Sequence, residues 1–417
     1  MDRLHDNLKH LLSANVVAGL VNFLSAVWFA RSLGPAVMGD YAMMIVAIQL
    51  LTAVLSPGLN QALIRDPSNR NLAAAATLGT FAQSFLILAV AAVLYGVAVL
   101  AGASHVTELF LSVVGLTVAT VVSLWVYLLS VPFEAGLRYG SLVRMRIVAL
   151  FVSTVVGVFA AQAGLGVQAL IVRDLLSAVL SLWLIRLRSP MVLTRRAWRA
   201  GLPELIEFVR GLWPLNVLER LALRLDYAVV GWLFDLETLG IYFAVRGMVE
   251  GALGFVLSPI QTVLYAYYCR LPDINGVVDT ILRKDRLSLT GAGTVVMMVL
   301  LQAGGDQIVA VTLGPHYGNG HVLLGGLALY AVSVTWFEHV KVLAMSQGNH
   351  HPMTIARMIQ LGLSLCLIYP LVRLLGLTGA GLSAGLAAAA MATVSTWILT
   401  RTVSIVPADI GRHVIRS

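Results

Sequence analysis

Apolar residues follow one another along this chain in stretches of about 20, and short polar segments separate these stretches. A helix of that length crosses the hydrocarbon core of a bilayer, which is about 30 Å thick. The pattern therefore predicts an all-α, polytopic membrane protein with about twelve transmembrane helices. The predicted spans are roughly 11–30, 39–62, 72–101, 107–131, 147–164, 167–187, 211–233, 238–263, 287–305, 321–343, 354–373 and 378–400.

Composition supports the same class. The chain is 59% hydrophobic, only 12% charged, and has a mean hydropathy of +0.88. Soluble domains carry about 25% charged residues, so a soluble globular protein is excluded. The first residues, MDRLHDNLKHLL, lack a signal-peptide cleavage pattern, and we expect the first span to stay as a membrane anchor.

Lysine and arginine lie mainly on one side of the predicted membrane. When alternate loops are assigned to opposite sides, one side receives nearly all the basic residues near helix ends, Arg144, Arg146 and Arg357 among them. The other side receives only Arg31 and Arg373. This bias places both termini and the middle linker in the cytoplasm. The net charge of +8 is thus mainly a topology signal, and we expect no nucleic-acid partner.

The second half of the chain repeats the first. Adding 201 to the residue number carries Asn15 onto Asn216, Gly39 onto Gly240 and Tyr41 onto Tyr242. The repeat predicts two pseudo-symmetric six-helix bundles with the same orientation, a design found in transporters. The predicted domains are an N-terminal bundle over 1–187, a cytoplasmic linker over 188–203 and a C-terminal bundle over 204–417.

Charge is not duplicated with the scaffold. The second copy carries Glu219, Arg220, Arg224 and Asp226 where the first carries Ala18, Gly19, Phe23 and Ser25. With Arg246 and Glu250, these charges would cost on the order of 15 kcal/mol if all faced lipid. They must therefore face one another or a wet cavity.

Two interpretations of these charges stay open. In the first they neutralise each other, Arg246 with Glu250 and Arg224 with Asp226. In the second they line a cavity for an anion, since a guanidinium offers a phosphate paired donors and never deprotonates. Arg220 and Arg224 are four residues apart and share a helix face, with Arg210 within about 80° of both. The candidate anion-binding residues are Arg210, Arg220, Arg224 and Arg246.

Other polar residues within the spans are weaker candidates. Lys341 either reaches the cavity or snorkels to the cytoplasmic surface. Asn15 and Asn22 share one face of the first helix, where either packing or sugar contact explains them. Five acidic or titratable residues are candidates for ion coupling or for charge pairing: Glu219, Asp226, Glu250, Glu338 and His339. We expect Arg173 and Asp174 to take part in an ion pair between helices. The spacing of Gly381 and Gly385 predicts close packing of the last helix against a neighbour.

Motifs for a cofactor, a metal or ATP are missing from the sequence. Cys269 and Cys366 lie on separate predicted helices without partner spacing, so we expect neither a disulfide nor a metal site. No phosphate-binding glycine loop followed by Lys-Ser or Lys-Thr is present, so the chain is not an ATP-driven pump by itself. We expect no cofactor.

Several segments resemble a known family. Residues 29–66 read FARSLGPAVMGDYAMMIVAIQLLTAVLSPGLNQALIRD, and 224–248 read RLDYAVVGWLFDLETLGIYFAVRGM. These resemble the first hairpin and the seventh and eighth spans of bacterial polysaccharide and O-antigen flippases, members of the multidrug/oligosaccharidyl-lipid/polysaccharide superfamily. LGPHY at 313–317, LAMSQGNHHP at 343–352 and GLTGAGLS at 376–383 also fit. The resemblance covers nearly the whole chain.

The resemblance implies two bundles around a central cavity that opens alternately to each side of the bacterial inner membrane. It implies a cargo of undecaprenyl-diphosphate-linked oligosaccharide, with membrane lipid around the tail. A polysaccharide polymerase and a chain-length regulator are candidate partners on which the sequence itself is silent. About twelve spans favour the O-antigen, capsule or exopolysaccharide branch, because the relative that flips the peptidoglycan precursor has fourteen.

Two other functions compete with that of a flippase. A cation-coupled multidrug exporter of the same superfamily needs an acidic cavity, whereas the embedded excess here is basic. A membrane polysaccharide polymerase or glycosyltransferase needs a sizeable external loop with catalytic groups, and the predicted outward loops are short and poorly charged. We expect a transporter rather than an enzyme.

Overall fold

The computed structural model describes residues 2–55, 58–66, 69–100, 110–136, 139–191, 198–268, 296, 299, 303–346 and 351–405. Its helices are α1 (Asp2–Leu55), α2 (Leu59–Arg65), α3 (Arg70–Leu100), α4 (Phe110–Ala135), α5 (Tyr139–Gln162), α6 (Val167–Arg188), α7 (Trp198–Leu233), α8 (Leu236–Tyr268), α9 (Gly305–Thr312), a 3-10 helix (Pro315–Leu323), α10 (Leu324–Ser346), α11 (His351–Leu375) and α12 (Leu377–Ile405). The predicted all-α class is confirmed.

The predicted spans coincide with these helices. Span 287–305 lies mostly outside the described residues. Span 39–62 covers the end of α1 and the start of α2, and span 321–343 begins in the 3-10 helix and continues in α10. Each of the other spans overlaps one helix. Within the part of the chain that the structure describes, seven helices are long and apolar enough to cross a membrane. Helices α6, α7 and α8 also match predicted spans, but they carry charges in their interiors.

A sharp turn divides α1 into the first two predicted spans. The 39 residues from Val17 to Leu55 would extend about 58 Å as one straight helix, nearly twice the hydrocarbon core. Gly34 breaks the helix with φ 79° and ψ 169°, a conformation that a side chain would strain. Pro35 follows and starts the next segment, where its missing N–H is tolerated. Leu-Gly-Pro recurs at 313–315, where Gly314 has φ 96°.

Packing divides the chain into two compact units. The first comprises Met1–Gly251 and Thr312–Tyr317, and the second comprises Ala252–Val311 and Gly318–Ser417. Residues 204–251 thus pack with the first unit. The repeat-based bundles at 1–187 and 204–417 stay a prediction about the duplicated halves.

In the first unit, α7 packs against α1 and α3, and α6 packs against α4 and α5. An apolar cluster that includes Leu63, Leu72, Leu128 and Leu205 joins α2, α3, α4 and α7. These contacts hold seven helices around a polar interior, which is described below.

In the second unit, α12 packs against α10 and α11. The approach is close because glycine faces glycine. A methyl group added at Gly326 would collide with the backbone of Gly381, and one added at Gly385 would press on the carbonyl of Gly326. The predicted packing role of Gly381 and Gly385 is confirmed.

The two copies of the repeated hairpin touch each other through equivalent positions. A methyl group added at Gly39 would strike the carbonyl of Leu236, and one added at Gly240 would strike the carbonyl of Pro35. The shift of 201 carries Pro35 onto Leu236 and Gly39 onto Gly240. The contact is therefore reciprocal, as expected where two related elements meet about a pseudo-twofold axis.

Candidate functional site

A polar cavity of about 1010 Å³ lies inside the first unit. Helices α1 to α7 each contribute to its wall. Its volume is at the upper end of the roughly 300–1,000 Å³ typical of small-molecule sites. Polar walls are costly inside membrane-spanning segments, so such a cavity is a functional-site candidate.

Six side-chain amides line this wall. They come from α1, α2, α3 and α7: Asn22, Gln49, Asn60, Gln61, Gln83 and Asn216. The Asn216 amide donates to Oε1 of Gln61 over 3.3 Å, which ties α7 to α2. Each amide offers both donors and acceptors, so it can match hydroxyl or amide groups on a ligand.

Hydroxyl groups fill much of the remaining polar surface: Thr52, Thr80, Thr120, Ser123, Ser177, Ser181 and Tyr127. Thr80 donates to the carbonyl of Ala76 over 2.9 Å, and Thr120 donates to that of Leu116 over 2.8 Å. Because these hydroxyls donate their hydrogen bonds to carbonyl groups of their own helices, their oxygens are available to the cavity mainly as acceptors.

The charged residues of the wall are Arg146, Arg220, Arg224 and Asp174, an excess of cations. Arg146 pairs with Glu134 at 3.7 Å. Arg224 pairs with Glu250 at 3.5 Å.

Asp174 accepts from the guanidinium of Arg173 over 2.7 Å and from the Tyr41 hydroxyl over 2.5 Å. Arg220 is exposed on the cavity wall and makes no ion pair within the described residues. It is the cation of this wall that a ligand can most readily engage.

The predicted site residues divide between this cavity and other places. Asn22, Arg220 and Arg224 line the cavity. Arg210 lies apart, in an exposed concavity at the start of α7 that Trp198 and Ile206 also line. The side chain of Asn15 lies outside the described part.

Arg246 lies in an ion-pair network instead of on the cavity wall. Its side chain is 1% exposed. It pairs with Asp226, and its Nε donates to Glu250 over 2.8 Å. Its Nη1 donates to the Tyr242 hydroxyl over 2.8 Å, and its guanidinium lies 4.9 Å from the centre of the Tyr227 ring. The Arg246–Glu250 pair matches the charge-pairing interpretation of their spacing. Asp226 pairs with Arg246 and not with Arg224, which contacts Glu250 instead.

The duplicated tyrosines Tyr41 and Tyr242 have similar surroundings. Tyr41 donates to Asp174, and Tyr242 donates to Asp226 over 2.6 Å. Each of these carboxylates also forms an ion pair with an arginine, Asp174 with Arg173 and Asp226 with Arg246. The two Asp–Arg pairs come from different helices, since Arg173 and Asp174 both lie on α6, whereas Asp226 lies on α7 and Arg246 on α8. Glu219 is half-buried on α7, next to Arg220 in the sequence.

The polar candidates of the second unit are also paired. Glu338 contacts Lys341 at 3.3 Å and Arg357 at 3.4 Å. Arg357 is only 4% exposed, donates to Gln360 over 2.9 Å and stacks on the Phe337 ring. Nδ1 of His339 lies 2.7 Å from the carbonyl of Thr335.

The sequence-based assignment of Arg357 to the exposed charges near helix ends was wrong, because its side chain is buried between α10 and α11. Arg146 was also counted as a loop charge, yet it lines the cavity. A count of charges near predicted helix ends cannot tell a surface arginine from one that turns inward.

Sequence reasoning also missed Gln49, Asn60, Gln61, Gln83 and Asn216. They are spread over four helices, and no spacing along the chain signals that they share a wall. Within the described part of the chain, His, Cys, Asp and Glu do not form groups of three that could hold a metal ion.

Solved structures with a similar fold are membrane transporters. A structure of the lipid II flippase MurJ in an inward closed conformation has a TM-score of 0.68 at 13% identity, covering 94% of this chain and 87% of that chain. An inward-facing MATE family multidrug resistance transporter of the MOP superfamily has a TM-score of 0.69 at 14% identity, covering 95% and 98%.

A MOP superfamily transporter from Pyrococcus furiosus, whose pocket is described as having reverse polarity, has a TM-score of 0.59 at 14% identity and covers 95% of each chain. No curated protein sequence matches the chain. At these identities the likeness shows the fold alone, a helical fold that this chain shares with these membrane transporters.

The family follows from the sequence itself. The model of a family described as polysaccharide biosynthesis protein matches residues 28–319, well over half of the chain. The chain belongs to this polysaccharide biosynthesis family, as the resemblance of its hairpin motifs indicated.

Proposed function

We propose that the protein is a flippase that moves an undecaprenyl-diphosphate-linked oligosaccharide from the cytoplasmic to the periplasmic leaflet of the bacterial inner membrane. The cargo is an O-antigen, capsule or exopolysaccharide repeat unit. Transport proceeds by alternating access, and both termini stay in the cytoplasm. The membership of a polysaccharide biosynthesis family and the transporter fold support this proposal.

The observation that carries the proposal is the chemistry of the cavity in the first unit. Its wall combines three arginines with six side-chain amides and faces a single aspartate. Arginine suits a phosphate because its planar donors bind two oxygens at once. Amides and hydroxyls suit sugars because both partners donate and accept.

Within this proposal, Arg220 and Arg224 contact the diphosphate, and Asn22 contacts the sugar. Arg220 lies one helical turn from both Asn216 and Arg224, so these three side chains share the face of α7 that lines the cavity. The lipid tail stays in the bilayer. Arg246 does not contact the substrate and instead positions Asp226 and Glu250 through its ion pairs. Arg210 and Lys341 do not line the cavity and so do not contact the substrate there.

A multidrug exporter is the competing function on the same fold. Cationic drugs need unpaired carboxylates, but the aspartate of this wall, Asp174, already pairs with Arg173. Glu250, next to the wall, pairs with Arg224 and Arg246. The described cavity is thus poorly suited to cations.

Translocation in proteoliposomes tests the proposal. The purified chain is reconstituted with a fluorescent undecaprenyl-diphosphate oligosaccharide, and a membrane-impermeant quencher reports the leaflet that holds the label. Wild-type protein should speed the exchange between leaflets. Arg220→Gln should slow it by about tenfold or more, since a charge-assisted contact is worth about 1.5–3 kcal/mol.

Arg199→Gln is the matched control, because it removes a cation from the exposed start of the same helix. It should transport as wild type does. The proposal is wrong if wild-type protein leaves the lipid-linked oligosaccharide in place but exports cationic dyes, which is the outcome that the exporter predicts.

A further inference from the structure

We propose that the cavity of the first unit selects uncharged, amide- and hydroxyl-bearing oligosaccharides, and that its free positive charge serves the diphosphate alone. This inference rests on the proposed function and specifies its substrate class. Arginines suit either a diphosphate or an acidic sugar, and the ion pairs of the structure favour the diphosphate.

The charges on the cavity wall are nearly balanced by ion pairs. Arg146 is paired with Glu134, Arg224 with Glu250, and Asp174 with Arg173. Of the charges on the described wall, Arg220 is the one without an ion pair. A diphosphate alone already carries more negative charge than one guanidinium neutralises. A glycan with several carboxylates would add negative charge for which the wall holds no free cation.

Side-chain amides lie next to Arg220 on the cavity wall. Asn216 precedes Arg220 by one helical turn on α7, and its amide is bonded to Gln61 on α2. A diphosphate held by Arg220 would therefore place the first sugar against Gln61 and Asn216. On the other walls, Asn22, Gln49 and Gln83 face the same space.

The cavity wall offers both hydrogen-bond donors and hydrogen-bond acceptors. Several hydroxyls, including those of Thr80 and Thr120, donate within their own helices and present acceptor oxygens to the cavity. The side-chain amides add N–H donors. A sugar ring with hydroxyl and N-acyl groups supplies partners for both, whereas a carboxylate only accepts and would face those hydroxyl oxygens unfavourably. The volume of about 1010 Å³ suits a short oligosaccharide.

Binding to the full chain in nanodiscs tests the inference with three probes. They are undecaprenyl diphosphate, the same lipid carrying a neutral trisaccharide rich in N-acetylhexosamine, and the same lipid carrying a trisaccharide with two uronic acids. Wild-type protein should bind the neutral glycolipid about tenfold more tightly than either of the others.

Two variants separate the parts of the site. Gln61→Ala with Asn216→Ala should reduce the preference for the neutral glycolipid over undecaprenyl diphosphate, which itself should bind unchanged. Arg220→Gln should weaken both by the same factor. As a gain of function, Gln61→Lys adds a cation at an exposed wall position and should raise the affinity for the uronate glycolipid, an effect that misfolding cannot produce.

The inference is overturned if the wild type binds the uronate glycolipid as tightly as the neutral one, or if the amide variant weakens all three probes equally. In both cases binding of undecaprenyl diphosphate would leave the proposed function intact. If none of the three lipids binds to protein that melts cooperatively, the proposed function fails and the inference fails with it.

Discussion

Replacing Arg246 by methionine would leave two carboxylates within the membrane-spanning part of the first unit without the cation they share. Arg246 is 1% exposed and pairs with both Asp226 and Glu250. Removing one partner of a buried ion pair costs about 3–5 kcal/mol, because the remaining charge stays buried.

The structure places the cost near the lower bound. Asp226 would keep hydrogen bonds from the Tyr242 hydroxyl at 2.6 Å and from the backbone N–H of Tyr227 at 3.0 Å. Glu250 is 25% exposed and would keep Arg224. We therefore expect Arg246→Met to destabilise the protein by about 3 kcal/mol. The melting temperature should fall by on the order of 6 °C.

A double-mutant cycle separates charge burial from lost packing. Arg246→Met combined with Asp226→Asn removes the stranded charge, so the double variant should recover part of the loss. The assay is thermal unfolding in detergent, followed by intrinsic fluorescence, alongside translocation in proteoliposomes. The reasoning is refuted if Arg246→Met melts as wild type does while transport alone is lost. That result would make Arg246 a substrate contact and not a member of an ion-pair network.

Three further predictions concern the scaffold. Gly385→Leu should destabilise the second unit by about 1–3 kcal/mol or more, because the larger side chain would overpack against α10. Gly362→Leu is the control, since a methyl group there meets open space, and this variant should melt close to the wild-type temperature. Equal effects of the two substitutions would contradict the close packing. Tyr317→Phe removes a buried hydrogen bond of 3.0 Å to a carbonyl at the end of the first segment of α1, and should cost about 1 kcal/mol in unfolding measurements; an unchanged melting temperature would argue against that bond. The pKa of Asp235 lies below its ordinary value of 3.8 because Thr238 hydrogen-bonds the carboxylate at the start of α8. The ionised Asp235 carboxylate therefore stabilises the folded state fully above the unfolded pKa, and this stabilisation disappears as the pH falls through the lowered folded pKa. Asp235→Ala should melt at a lower temperature than wild type at pH 7, and the difference should shrink below pH 3.8. A pH-independent difference would contradict this prediction.

The helical scaffold could be predicted because its signals are local. A run of apolar residues predicts a span wherever it occurs. The structure places the break between the first two spans at Gly34-Pro35, in keeping with the conformations that these two residues allow. The repeat added one non-local fact. Matching Gly39 to Gly240 indicated two related hairpins, and the structure brings these glycines into reciprocal contact.

The site could be predicted only in part. Arg220 and Arg224 stood out because charge is rare inside a span, and they do line the cavity. Arg246 shows the limit of that reasoning, since spacing allowed both pairing and ligand contact, and the distances to its partners depend on tertiary packing. Gln61 and Gln83 carried no signal at all, because an amide is unremarkable in sequence until other helices place more amides around the same cavity.

Site-specific photo-crosslinking tests the central claim, that the cavity of the first unit holds the glycan during transport. The photoreactive residue p-benzoylphenylalanine replaces Tyr127 on the cavity wall or, as a control, Tyr369 on α11 of the second unit. The two side chains are similarly exposed, at 52% and 45%. A lipid-linked oligosaccharide labelled on its sugar should crosslink at position 127, compete with unlabelled glycolipid, and crosslink poorly at position 369. Equal crosslinking at the two positions, or none at 127 in protein that transports the lipid, would contradict the claim.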